Sequence, residues 1–348
     1  MSKQAENTFI FVVGNPRSGT TMMGRLLGNH PMIHTFDAEL HFFEKLWAPE
    51  DRNRQVSLAE ATDFAARLAC IEHDKFFRQG DPKRFWAKAR EVVQGVSANN
   101  FSLADIYKTF LKHAAAANGK TIPCEQTQGY VYYLRELLDL FPGAKVINMV
   151  RDPRDVLLSQ KCRWKIQFAK PQIFRRQTVI RTWMNYHPIS TSRLWRAAVR
   201  TADKFKDDGR LCSVRFEDLL EHPEKESRKI CEFIGVSYYP NMLEVPRTNS
   251  SLVPDRPDQK GIDPARTANW KSGGLNPAEI FISQTIAEDT MKKWGYRPAR
   301  TLPNPLALAF YGGTFPVKLF LTVLLHRKYI KNIREAVKRR LLWASPET

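Results

Sequence analysis

Two short, unbroken apolar runs stand out in a chain whose other hydrophobic positions are mostly spaced for amphipathic helices. Phe9 to Val13 is built from large and β-branched residues and is short enough for a strand buried on both faces. Beyond a turn, Met22, Met23, Leu26 and Leu27 recur at helical spacing until Gly28 and Pro31 mark a stop. Lys145 to Val150 repeats the arrangement: a strand, then Asp152 as N-cap, Pro153 at the first helical position, and Val156, Leu157 and Leu158 continuing inward. Thr121 to Cys124 reads as a further strand. The alternation predicts an α/β fold, a doubly wound parallel sheet flanked by helices, with ligands at the C-terminal ends of its strands. The 348 residues suit one domain of roughly 250–300 residues with room for a large core, plus an appendage.

The turn after the first run, Gly14-Asn-Pro-Arg-Ser-Gly-Thr-Thr21, joins a strand to a helix, where backbone N–H groups and the helix dipole receive a phosphate. It is P-loop-like, but Thr20 stands where Walker A needs the lysine that reaches the β- and γ-phosphates. Arg17, Ser18, Gly19, Thr20 and Thr21 can still hold one terminal phosphate through charge, hydroxyls and backbone; the plain alternative is a glycine turn. After the second strand, Arg151 and Ser159 lie eight residues apart, about two helical turns. They converge on one phosphate only if the helix folds back across the strand end, and otherwise Arg151 to Arg154 is a solvated turn with local ion pairs.

These residues resemble the sulfotransferases that use 3′-phosphoadenosine-5′-phosphosulfate (PAPS). Pro16-Arg-Ser-Gly-Thr-Thr21 resembles the family's loop for the 5′-phosphosulfate, and the Arg151/Ser159 pair its 3′-phosphate site. Glu39-Leu-His-Phe-Phe43 is similar to the Glu-x-His-Phe-Phe segment of the glycan (heparan-type) branch, in which the Glu is the catalytic base. Arg215 to Leu219 resembles an Arg-Tyr-Glu-Asp-Leu element, with Phe216 in place of the Tyr. Arg266 and Asn269-Trp-Lys271, with Lys293 to Tyr296 beyond, are similar to the basic segment that closes over the nucleotide. One departure is Glu125-Gln-Thr-Gln128, where many relatives have Glu-Lys-Thr-Pro and place the Lys near the sulfuryl group.

The resemblance implies transfer of a sulfuryl group from PAPS to a hydroxyl of a glycan, a lipid or a small molecule, with PAP as product and no metal. It gives nucleotide contacts to Arg17, Ser18, Gly19, Thr20, Thr21, Arg151, Ser159, Arg266, Trp270 and Lys271. Catalysis falls to Arg17, which stabilises the leaving 5′-phosphate, and to Glu39 as general base. His41 follows as a base because it points to the same side of an extended segment, and Glu125, just after a strand, is a fallback. Two other readings stand beside this one: a P-loop kinase-like nucleotide enzyme, and a non-catalytic protein that binds an anionic membrane or glycan.

Charge sharpens the choice of partners. The net charge of +18 favours anionic ligands. From Val156 to Ala202 there is no acidic residue, while ten Lys and Arg, among them Arg163, Arg175 and Arg176, lie among Trp164, Phe168, Phe174, Trp183, Tyr186 and Trp195. Such interleaving suits an anionic glycan or lipid headgroups ahead of nucleic acid, against the alternative of a solvated helical face over buried aromatics. The five cysteines are widely spaced and odd in number, which excludes a disulfide framework, and the scattered histidines give no metal-ligand spacing.

The resemblance covers residues 8–298 and leaves 301–348 as a C-terminal appendage, in which Leu319 to Leu325 is far short of a bilayer span and is bounded by Lys318 and Arg327. Ile330, Ile333, Val337 and Leu341 then share one helical face among basic residues, with Trp343 at headgroup level, which predicts an interfacial amphipathic helix or a helix docked on its own domain or on a second subunit. Only Met1 to Thr8 precede the first strand. The expectation is therefore a cytoplasmic enzyme with no signal peptide or transmembrane segment, with peripheral membrane contact and homo-oligomerisation left open.

Overall fold

The structure, a computed structural model, describes residues 8–76, 80–96, 101–172, 174–248, 252, 255–326, 337, 340 and 341. The chain runs through β1 (Phe9–Gly14), α1 (Thr20–Gly28), β2 (Ile33–Thr35), α2 (Leu58–Asp74), α3 (Trp86–Gln94), α4 (Leu103–Ala117) and β3 (Ile122–Gln126). It continues through α5 (Leu134–Leu140), β4 (Ala144–Val150), α6 (Pro153–Phe168), α7 (Arg176–Asn185), α8 (Pro188–Asp203) and β5 (Leu211–Arg215). Next come α9 (Phe216–Glu221), α10 (Pro223–Ile234), β6 (Pro246–Arg247), β7 (Arg256–Lys260), α11 (Pro277–Lys293) and α12 (Pro305–His326).

Strands β1 to β5 form one parallel sheet in the order β2-β3-β1-β4-β5. β1 is central because all its residues are buried: Phe9, Phe11 and Val13 pack with α2 to α5, while Ile10 and Val12 pack with α1 and α10 on the other face. The chain leaves β1 toward β2 and leaves β4 toward β5, so their connections part on opposite sides of the β1/β4 pair. That pair is the switch point, where doubly wound sheets open a ligand crevice. Gly14 is level with Met149 across it, so the β1–α1 loop and Arg151 face each other at the carboxyl ends.

The acid-free stretch becomes α6, α7 and α8, and part of it is core. Trp195 is fully buried and donates from Nε1 to the Arg151 carbonyl at 2.8 Å, Arg196 is buried, and Lys161 pairs with Glu279 at 2.7 Å. Phe168, Ile180 and Trp183 remain exposed.

The C-terminal expectation needs correction. The apolar segment is not confined to 319–325: α12 has 22 residues and is long and apolar enough, by length and composition, to cross a membrane. Gly312, Gly313 and Pro316 disfavour a helix, yet α12 runs through them because its inner side is tied to the domain. Thr322 Oγ1 donates to the Met184 carbonyl at 3.1 Å, and Lys318 Nζ donates to that of Tyr186 at 3.1 Å. The amphipathic face assigned to 330–341 lies outside the described residues except for Val337 and Leu341, as does Trp343.

Candidate active site

Close packing shapes the β1–α1 loop. A Cβ on Gly14, whose φ is +145°, would stand 2.5 Å from the Met149 carbonyl oxygen. Gly19 caps α1 in the left-handed region, and a Cβ there would meet the Phe216 ring at 2.3 Å. Arg17 adopts a φ of 76°, a conformation costing an L-residue roughly 1–2 kcal/mol. Strain of this kind concentrates at ligand sites. Arg17, Gly19, Thr20 and Thr21, where the loop enters α1, line a cavity at a helix start, a place that suits an anion.

Helix α6 does fold back over the strand end. Arg17 Nε donates to Ser159 Oγ at 2.9 Å, and Arg151 donates to the carbonyls of Arg17 at 3.2 Å and Arg266 at 3.0 Å. Arg151 also lies 4.5 Å over the Phe216 ring, which replaces the expected tyrosine. The opposite wall comes from the segment carrying β6 and β7, with Arg247, Thr248, Arg266 and Asn269 lining the cavity. Arg25 reaches across to hydrogen-bond Thr248. Ser18, which is fully buried, and Trp270 and Lys271 lie outside the lining. Trp270 is an anchor, its N–H donating to Asp155 Oδ1 at 3.0 Å and its ring lying 3.9 Å from the Arg154 guanidinium, while Lys271 is exposed.

The donor set fits a phosphorylated ligand. The buried Ser18 Oγ and the Nε atoms of Arg151, Arg247 and Arg266 have no hydrogen-bond partner among the described residues. Burial, followed by the charges of Arg163 and Arg151, pushes the Arg17 guanidinium down from its ordinary value, although such a group stays protonated at neutral pH. Crowding of like charges is relieved by an anion. Among the described residues no cluster of three His, Cys, Asp or Glu is placed to hold a metal ion.

At the other end stands Glu39, its side chain 31% exposed. Gln128, which lines the cavity, donates from Nε2 to Glu39 Oε1 at 2.8 Å. The segment is not extended throughout: His41 has a φ of 55° and opens a helical turn over Phe42–Leu46. That turn still brings His41 Nε2 to 3.5 Å from Glu39 Oε2 and sets Nδ1 2.5 Å from Glu44 Oε2. Burial pushes the Glu39 carboxyl above the usual range, opposed by His41 and Arg163. Burial works against the His41 cation, but the Glu44 carboxylate outweighs it and holds the imidazole above its ordinary value. Sequence reasoning missed Glu44, Arg25, Arg247 and the influence of the Arg163 charge on Glu39. Arg163 follows Ser159 by four residues on α6, and that spacing was the available signal.

Glu125 does not enter the cavity lining. It is 1% exposed and turned into the core, where it accepts from the Leu40 N–H at 3.2 Å, from Thr127 Oγ1 at 2.5 Å and from the Tyr107 hydroxyl.

A model of the Sulfotransferase family matches residues 10–240. The chain belongs to that family. The sulfotransferase is 24% identical over 306 residues to protein-tyrosine sulfotransferase A of Caenorhabditis elegans, covering 85% of this chain and 69% of that protein. It is 23% identical over 312 residues to protein-tyrosine sulfotransferase 1 of Danio rerio, covering 85% and 74%. Among solved structures, the sulfotransferase domain from the curacin biosynthetic pathway matches with a TM-score of 0.50 at 19% identity, over 83% of this chain and 98% of that one, a likeness of fold. As a member of the family, the sulfotransferase takes PAPS as donor and releases PAP.

Proposed function

We propose that this sulfotransferase moves the sulfuryl group of PAPS to an acceptor hydroxyl, with Glu39 as general base. One observation carries the reading: Glu39 is joined to the phosphate cavity through Gln128, in the electrostatic reach of Arg17 and Arg163. The bound donor supplies the sulfuryl group and leaves as PAP. Arg17, Ser18, Thr20 and Thr21 hold the 5′ end, and Arg151, Ser159 and Arg266 hold the 3′-phosphate. Glu39 takes the hydroxyl proton while the acceptor oxygen bonds to sulfur and the bond to the 5′-phosphate oxygen breaks. Arg17 stabilises the charge that collects on that oxygen. His41, braced by Glu44, orients the Glu39 carboxylate. The acceptor is a hydroxyl of a glycan, a lipid or a small molecule, and the names of the relatives add protein tyrosine to these.

A general base is worth roughly 10²–10⁴-fold. Glu39→Gln is expected to lower turnover by about 10²-fold or more and to leave PAP affinity within a few-fold. An active Glu39→Gln enzyme beside a dead but folded Glu125→Gln enzyme would put the base elsewhere. Thermal stabilisation by PAP, and none by ATP with Mg²⁺, is expected here; the reverse would favour a kinase-like enzyme, and neither would favour a binding protein without catalysis. Radiolabelled PAPS incubated with lipid, glycan, protein and small-molecule extracts identifies the acceptor.

A further inference from the structure

Helix α12 has two unlike sides. Leu306, Phe310, Val317, Phe320 and Leu324 recur at intervals of three, four or seven and form one stripe, each between 44% and 79% exposed. The opposite side is pinned along its length, through Tyr311 to Asn276, Thr314 to His187, Lys318 to the Tyr186 carbonyl and Thr322 to the Met184 carbonyl. Its single charged residue other than His326, Lys318, is turned inward, 4.7 Å over the Trp183 ring.

A helix fastened lengthwise to a folded α/β domain does not cross a bilayer by itself, so the stripe is covered from one side. We propose that α12 docks the enzyme on an anionic lipid membrane, lying in the plane of the interface with this stripe among the lipid chains. Two features select a lipid surface over a second copy of the chain. The apolar surface is wider than the seam of a helix pair, because the adjoining α7 exposes Ile180 and Trp183 as well. The surroundings are also of one sign. Arg175 and Arg176 are exposed at the start of α7, and no acidic residue occurs from Val156 to Ala202. Two copies would oppose these charges, whereas anionic headgroups neutralise them.

The test spins the full-length protein with vesicles of phosphatidylcholine carrying one-third phosphatidylserine, and with phosphatidylcholine alone. The protein is expected to sediment with the first and at least about 10-fold less with the second. Replacing Phe310, Val317, Phe320 and Leu324 by Ser together is expected to weaken binding by about 10-fold or more while the PAP-induced thermal shift, read on the same samples, is unchanged. Brominated lipid chains should quench the wild-type tryptophan emission, and a Trp183→Phe enzyme should lose part of that quenching. This second readout decides the matter should the fourfold variant fail to fold. Wild-type protein that ignores both vesicles, a folded fourfold variant that binds as before, or bound protein without quenching overturns the proposal. So does a wild-type dimer in sedimentation velocity that the variant makes monomeric.

Discussion

Replacing Gly19 by Ala tests whether the phosphate loop is shaped by one close approach. The residue sits at φ +95°, so any L-side chain there costs roughly 1–2 kcal/mol in backbone strain. Its new methyl would meet Cδ2 of Phe216 at 2.3 Å and Cε2 at 2.6 Å, and Phe216, 4% exposed, has no room to retreat. Overpacking of that kind costs about 1–3 kcal/mol, for a total of roughly 2–5 kcal/mol. Urea unfolding reads the loss, and the displaced start of α1 should also weaken PAP binding in calorimetry. Phe216→Ala alone leaves a cavity worth about 3–5 kcal/mol. The double variant removes the obstacle, so the two losses should fall short of additivity by the overpacking share, about 1–3 kcal/mol. Two losses that add within about 0.5 kcal/mol would refute the argument, because residues in contact through a clash cannot behave independently.

Arg151→Ala and Ser159→Ala should each weaken PAP binding by about 1.5–3 kcal/mol and scarcely change binding of adenosine 5′-phosphosulfate; equal losses for both ligands, measured by calorimetry, would contradict the assignment of the 3′-phosphate. Burial raises the Glu125 carboxyl from the ordinary 4.5 to about 7, so the folded state keeps a proton that the unfolded state releases. The stability from this group is present below pH 4.5 and lost as pH rises to 7, by up to about 3 kcal/mol, and Glu125→Gln should flatten that fall in denaturation curves taken across the window. The Arg163 charge favours the ionised form of Glu39, so Arg163→Ala should move the acid limb of the kcat/KM profile to higher pH; a limb that stays in place would separate the two groups.

Much of this molecule is local in origin and therefore legible along the chain. The run from Phe9 to Val13 is apolar at every position, as a strand covered on both faces requires, and Asp152 with Pro153 starts a helix by capping and by a fixed φ. The phosphate loop is likewise written in adjacent residues. Its chemistry depends on backbone conformation and hydroxyls within eight positions, so Thr20 in place of lysine could be read at once.

Other features were settled by contacts between distant parts of the chain. Glu39 and Glu125 are both carboxylates near strand ends, and only packing turned one toward Gln128 and the cavity and the other toward Tyr107 and the core. Arg17 met Ser159 because strand order set β1 beside β4 and α6 ran back across them, a geometry no spacing encodes. The length of α12 was hidden for the same reason. Two glycines and a proline disfavour an isolated helix, whereas here hydrogen bonds to α7 and the start of α8 offset their cost. Sequence determines which local conformations are cheap, and the tertiary structure decides which costly ones are kept, because burial and partners from elsewhere in the chain supply free energy that no local window contains.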